Sequence, residues 1–161
     1  MKPILVLCLG NEILSDDAVG PTIANRIKAV YTETKEVEIF FAPVAGFNLL
    51  DFFHNRESVL IVDSIITGKV DPGTIHFFNA DYLTPSNGLI NSHQINLPTA
   101  IQFGKLLGYV MPDKIDILAI EVEDITTISD NLTTKVAKSV DVAIEKILFW
   151  INTKEKDLVY R

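Results

Sequence analysis

Several acidic side chains and one histidine stand where a strand gives way to a turn or loop. Asp16 and Asp17 lie in the turn that follows the first apolar run, Asp63 follows the apolar run 59–62, and His93 lies in a long polar loop. Because ligands of open α/β sheets collect at the carboxyl ends of strands, these side chains are candidates for one site. Two carboxylates and an imidazole suit a borderline divalent metal such as nickel or zinc.

Each candidate also has a structural interpretation. Asp16 and Asp17 could cap the first helix and complement its dipole, Asp63 could make a buried hydrogen bond, and a single loop histidine is often a surface residue. A dinucleotide site at the first turn is disfavoured. The turn has Cys8, Gly10 and Glu12 where such a site needs closely spaced glycines, and its acidic residues would repel a pyrophosphate.

Short apolar, β-branched runs alternate with segments of helical spacing, which predicts a three-layer α/β sandwich with a mostly parallel sheet covered on both faces. The predicted strands are Ile4–Leu9, Val37–Ala42, Val59–Val62, Thr74–Phe78 and Ile115–Val122. The predicted helices are Pro21–Tyr31 with Ile23, Ile27 and Val30 on one face, Gly46–Phe53, Pro98–Leu107, and Leu132–Ile151 with Asp130 or Asn131 as N-cap. The prediction is one domain, 1–161, with a polar tail, Asn152–Arg161.

Composition narrows the class of protein. With 14 basic and 21 acidic residues the net charge is −7, which disfavours binding to nucleic acid or anionic lipid. The single cysteine, Cys8, lies in an apolar run and is predicted to be a buried, reduced thiol. No signal-peptide or membrane-spanning pattern and no coiled-coil heptad is visible, so we predict a cytoplasmic monomer. Motifs of serine hydrolases, zinc helices and paired cysteines are missing from the sequence.

Five short sequence motifs, by their order and spacing, resemble those of a known protein family. They are Leu9-Gly10-Asn11, Leu14-x-Asp16-Asp17-x-x-Gly20, Ala45-Gly46-x-x-Leu49-Leu50, Val62-Asp63 and Ser92-His93-Gln94. Together they resemble the hydrogenase maturation proteases, endopeptidases that process [NiFe]-hydrogenase large subunits. The resemblance implies a twisted, mostly parallel five-stranded sheet in the α/β sandwich. It also implies nickel ligation and catalysis by Asp17, Asp63 and His93, and substrate contacts by Asn11, Asp16 and Gly46.

The resemblance implies further that nickel belongs to the partner, a hydrogenase large-subunit precursor, and is only weakly bound by the free protein. Asp17 stands where the family often has the longer glutamate, and Cys8 and Ala18 replace common glycines. Phe41 replaces an acidic residue of the family, which keeps a non-catalytic nickel checkpoint as an alternative. A flavodoxin-like nucleotide-binding protein is a second alternative. Whether a carboxylate activates water or the metal polarises the carbonyl stays open.

Overall fold

The computed structural model describes residues 2–83 and 97–160. The strands in these ranges are β1 (Ile4–Leu9), β2 (Val37–Ala42), β3 (Ser58–Ile65), β4 (Ile75–Asn79) and β5 (Lys114–Glu121). The helices are α1 (Val19–Val30), α2 (Leu50–Phe53), α3 (Leu97–Leu106) and α4 (Thr134–Val159). Short 3₁₀ turns, Ser15–Ala18, Gly46–Leu49 and Ala80–Tyr82, precede α1, continue into α2 and follow β4.

The sheet has the strand order β2-β1-β3-β5-β4. The β1–β2, β1–β3 and β3–β5 pairs are parallel, and the edge strand β4 is antiparallel to β5. All six residues of β1 are buried, as expected for a central strand whose two faces are both covered. The predicted mostly parallel, five-stranded sheet is therefore confirmed.

Alternation along the strands divides the core into two clusters on opposite faces of the sheet. One cluster joins alternate residues of β1 and β3 to α1 and α4, and the other joins the intervening residues to α2 and α3. Phe41, where the family resemblance expects an acid, is partly buried against the α1–α4 cluster. Helices on both faces of one sheet make the predicted three-layer sandwich.

Two helix predictions are wrong in detail. α4 continues to Val159, so most of the predicted polar tail is helical. Lys and Glu are good helix formers, and the carboxylate of Glu155 accepts hydrogen bonds from Tyr31 and Thr34, which ties this part of α4 to the chain after α1. At the end of α1, Val30 is 72% exposed, because Tyr31 packs against the core in its place.

Two boundaries near the predicted site also differ. The N-cap of α4 is Thr133 instead of Asp130 or Asn131, since the backbone N–H and hydroxyl of Thr133 donate to Asp16. Strand β3 runs to Ile65, so Asp63 lies within it and not after it. Sequence patterns place such boundaries poorly because pairing with β5, not local composition, extends β3.

Candidate functional site

The candidate site lies at the carboxyl edge of the sheet, between β1 and β3. The β1–β3 pairing ends at Cys8 and Val62, whereas β3 continues to pair with β5 as far as Ile65 and Glu121. Strand β2 lies on the other side of β1, so the strand order reverses direction between β1 and β3. This is the topological switch point, at which ligands of open α/β sheets bind.

Close backbone packing brings the first turn to this point. Gly10 has φ of +140°, and a Cβ there would lie 2.1 Å from the carbonyl oxygen of Asp17. A Cβ at Gly20 would lie 1.8 Å from the carbonyl oxygen of Leu9. Glycine at both positions therefore lets the 3₁₀ turn and α1 fold directly against the end of β1, which places Asp17 beside β3.

Asp17 and Asp63, hereafter the carboxylate pair, are linked by the residue between Asp63 and Ile65. The Ser64 hydroxyl donates to Asp17 Oδ1 at 2.8 Å, and the Ser64 N–H donates to Asp63 Oδ1 at 2.8 Å. Asp17 is 5% exposed and Asp63 is fully buried. The structure thus brings together two carboxylates that are 46 positions apart in the sequence. Sequence reasoning missed Ser64, because a second polar residue after the apolar stretch 59–62 gives no indication of the partner of its hydroxyl.

Asp63 also faces a small cavity of about 10 Å³. Its other lining residues are Leu9, Leu49, Ile61, Leu83, Leu97 and Ile117. Leu83 and Leu97 are the two ends of the described chain around residues 84–96. The predicted ligand His93 lies outside the described residues. Within 2–83 and 97–160, no three His, Cys, Asp or Glu side chains come together as a metal site.

Asp16 is held by the loop between β5 and α4. It is fully buried, its Oδ2 accepts from the N–H groups of Glu123 and Asp124 at 3.2 and 3.1 Å, and its Oδ1 accepts from Thr133 N–H at 2.7 Å. The Thr133 hydroxyl adds a bond to Oδ2 at 3.0 Å. Because the protein itself supplies these donors, the arrangement favours an anchoring role for Asp16 over the predicted contact with substrate.

The other predicted substrate contacts lie on the rim of the same edge. Asn11 is half-buried and its side-chain oxygen accepts from Ile13 N–H at 3.2 Å. Gly46 has φ of +60°, and a Cβ there would have no neighbour within 4 Å. The backbone of Gly46 is therefore open to an approaching chain, whereas the N–H of Asn11 donates to Asp17 O and its carbonyl accepts from Leu14 N–H, so that only the Asn11 side chain could contact a substrate.

The sole cysteine is not a nucleophile in this structure. Cys8 is fully buried within β1, and burial raises the pKa of its thiol to about 12. Lys28 lowers this pKa less than burial raises it. A thiol that stays protonated at neutral pH cannot supply a thiolate nucleophile.

A fourth buried carboxylate, which sequence reasoning missed, lies at the end of β5. Glu121 is 2% exposed and accepts hydrogen bonds from Thr67 N–H and hydroxyl, from Gly68 N–H and from His76 Nε2. Burial, the largest single influence, raises the pKa of Glu121, but the donors together outweigh it and hold the pKa below its ordinary value. The visible signal was an acidic residue inside the apolar run 115–122.

Glu121 predicts a specific pH dependence of stability. Its pKa is lower in the folded state, so its contribution is complete above the ordinary value of about 4.5 and is lost as pH falls through the folded pKa. We expect Glu121→Gln to lower the free energy of unfolding by about 1–3 kcal/mol at pH 7, and the difference to shrink towards pH 3. Urea titrations at several pH values test this, with exposed Glu145→Gln as control. A pH-independent difference would contradict it.

None of the helices in the described ranges is long and apolar enough to cross a bilayer.

Comparison with known proteins places this geometry in a family. A family model described as hydrogenase maturation protease matches residues 21–150. The chain is 30% identical over 147 residues to the hydrogenase 2 maturation protease of Escherichia coli K12, covering 90% of this chain and 88% of that protein. It is 24% identical over 143 residues to the hydrogenase expression/formation protein HupD of Rhodobacter capsulatus, covering 88% of this chain and 67% of that protein.

Solved structures agree with these sequence matches. The hydrogenase maturating endopeptidase HybD of Escherichia coli superposes with a TM-score of 0.83 at 28% identity, covering 96% of this chain and 94% of that one. The [NiFe] hydrogenase maturation protease HybD of Thermococcus kodakarensis superposes with a TM-score of 0.68 at 25% identity, covering 93% and 99%. The likeness extends over nearly the whole chain.

Proposed function

Because this chain belongs to the hydrogenase maturation protease family, we propose that it recognises nickel inserted in a [NiFe]-hydrogenase large-subunit precursor and then removes the C-terminal extension of that subunit. The observation that carries the proposal is the carboxylate pair at the topological switch point. Two buried carboxylates, linked through one serine, provide a hard oxygen donor set at the position where this architecture binds ligands.

In this proposal the third donor is His93. Asp63 lies in a cavity lined by Leu97, and His93 is four residues before Leu97 in the sequence. Four residues of extended chain span at most about 14 Å, a length that permits a ligand at position 93 to meet the carboxylate pair. An imidazole added to two carboxylates gives the nitrogen and oxygen ligands that divalent nickel accepts.

Nickel enters this reaction as part of the substrate. Three protein donors without a thiolate leave coordination positions for the precursor's own ligands, so binding is tightest when the precursor is already loaded. Asp17, Asp63 and His93 would hold the metal and orient the loaded precursor, with either metal polarisation of the scissile carbonyl or activation of water by a carboxylate as the chemical step. On the rim, Gly46 provides open backbone against which the tail lies, and Asn11 contributes its side chain.

The test is intact-mass analysis of the precursor, with and without inserted nickel, after incubation with the protein. We expect loss of the C-terminal tail from the loaded precursor only, because in this proposal the protein binds the precursor through the inserted nickel. An Asp157→Asn variant, whose side chain is exposed at the end of α4, serves as the control and should cut normally.

Two other outcomes decide against the proposal. Nickel-dependent binding without cutting would favour the checkpoint alternative, in which replacement of an acid by Phe41 has removed activity. Cutting of the nickel-free precursor at the same rate would show that the carboxylate pair does not distinguish the nickel-loaded precursor from the nickel-free one.

A further inference from the structure

We propose that Ser64 is a positioning residue that sets the two members of the carboxylate pair relative to each other. This inference deepens the proposed function and rests on it. Ser64 is 2% exposed and contacts both carboxylates at 2.8 Å, with its hydroxyl on Asp17 and its N–H on Asp63. A single residue therefore connects donors that come from different elements of the fold.

The geometry of β3 explains why one residue can do this. Along the strand, Ile61 and Ile65 belong to the α2–α3 core cluster, whereas Leu60 and Val62 belong to the α1–α4 cluster. By alternation, Asp63 lies on the first face and Ser64 on the second. The Ser64 hydroxyl thus meets Asp17, which precedes α1, on one face of the sheet.

The backbone of Ser64 serves Asp63. The β1–β3 pairing stops at Val62, and one residue further on the N–H of Ser64 donates to the Asp63 carboxylate. This short bond fixes the orientation of the Asp63 side chain against its own backbone. The two hydrogen bonds together leave little freedom in the relative placement of the two carboxylates.

Positioning matters here because Asp17 has a short side chain. A carboxylate one bond closer to the backbone than glutamate has less reach towards a metal, so its orientation must be well defined for it to bind. Hydrogen bonds from neighbouring side chains to metal-binding groups typically change metal affinity or activity by about 10–100-fold when they are removed. A hydroxyl that merely satisfied a buried group would change stability without changing the response to nickel.

The experiment measures binding and cutting separately. In Ser64→Ala, we expect the Kd for the nickel-loaded precursor to rise by about 10–100-fold and kcat to fall, while the Kd for the nickel-free precursor stays unchanged. Ser64→Thr keeps the hydroxyl and a β-branched side chain suits a strand, so it should retain nickel-dependent binding. The matched control is Ser139→Ala, which removes another buried serine hydroxyl, one that donates to Val136 O within α4.

A double variant tests whether Ser64 acts through Asp17. If it does, Ser64→Ala combined with Asp17→Asn should lose no more nickel-dependent affinity than Asp17→Asn alone, since Asp17→Asn has already removed the negative charge that Ser64 is proposed to orient. The inference is overturned if Ser64→Ala binds the loaded precursor within threefold of the unmodified protein, or if its effect simply adds to that of Asp17→Asn. Failure of the proposed function would instead appear in the unmodified protein, as binding that ignores nickel.

Discussion

Replacement of Asp63 by asparagine is expected to lower the rate of nickel-dependent tail removal by about 10³-fold. Asparagine has nearly the same shape, and its side-chain oxygen can still accept from Ser64 N–H, so the fold should persist. The change removes the negative charge that the proposed function assigns to binding of the substrate's nickel. Single-turnover kinetics with the loaded precursor, followed by intact mass, measure the effect.

Two comparisons sharpen this prediction. Asp157→Asn removes an exposed carboxylate from α4 and should leave the rate unchanged. Circular dichroism of Asp63→Asn should match that of the unmodified protein, which would assign the loss to the site and not to unfolding. If Asp63→Asn cut the precursor within tenfold of the normal rate, Asp63 would not be a ligand of the substrate's nickel.

Replacement of Asp16 by alanine should have the largest effect on stability, lowering the free energy of unfolding by about 3–5 kcal/mol. Three backbone N–H groups, of Glu123, Asp124 and Thr133, would lose a charged acceptor, and the Thr133 hydroxyl would lose its partner. Buried donors without partners are costly. Because Thr133 is the N-cap of α4, the start of that helix should loosen too.

Urea denaturation and thermal melting measure this loss, which corresponds to a fall in Tm of about 10 °C for a chain of this size. Asp16→Asn keeps one acceptor oxygen and should lie between the alanine variant and the unmodified protein. Asp157→Ala is the exposed control. A melting temperature of Asp16→Ala within 2 °C of that control would mean that the donors find other partners and that Asp16 does not anchor the loop.

The Asp16 anchor also bears on the site. Residue 16 ties the 3₁₀ turn to the β5–α4 loop, and residue 17 follows it directly, with its carboxylate on Ser64. Two adjacent aspartates therefore have different environments, one filled by backbone donors and one linked to the carboxylate of β3. Their sequence context is nearly the same, so only the surrounding loops separate their roles.

Much about this protein was determined by its sequence alone. Short apolar runs and segments of helical spacing identified the parallel sheet and its helices, because a strand buried on both faces is apolar throughout, whereas a helix buried on one face is apolar at every third or fourth residue. The motifs around Gly10, Asp17, Asp63 and His93 pointed to the family, since each motif is a short stretch of consecutive residues that can be compared without knowledge of the structure. The end of α4 and the extent of β3 were not readable, because contacts with distant residues extend them.

Only the tertiary structure decided how the site is assembled. Ser64, Glu121 and the donors to Asp16 belong to segments far apart in the chain, and their roles arise when the strand order brings those segments to one edge of the sheet. A serine beside an aspartate in a strand carries no sign that its hydroxyl will meet a carboxylate 47 positions away. Hydrogen bonds depend on distance and direction in space, and periodicity along the sequence does not encode either.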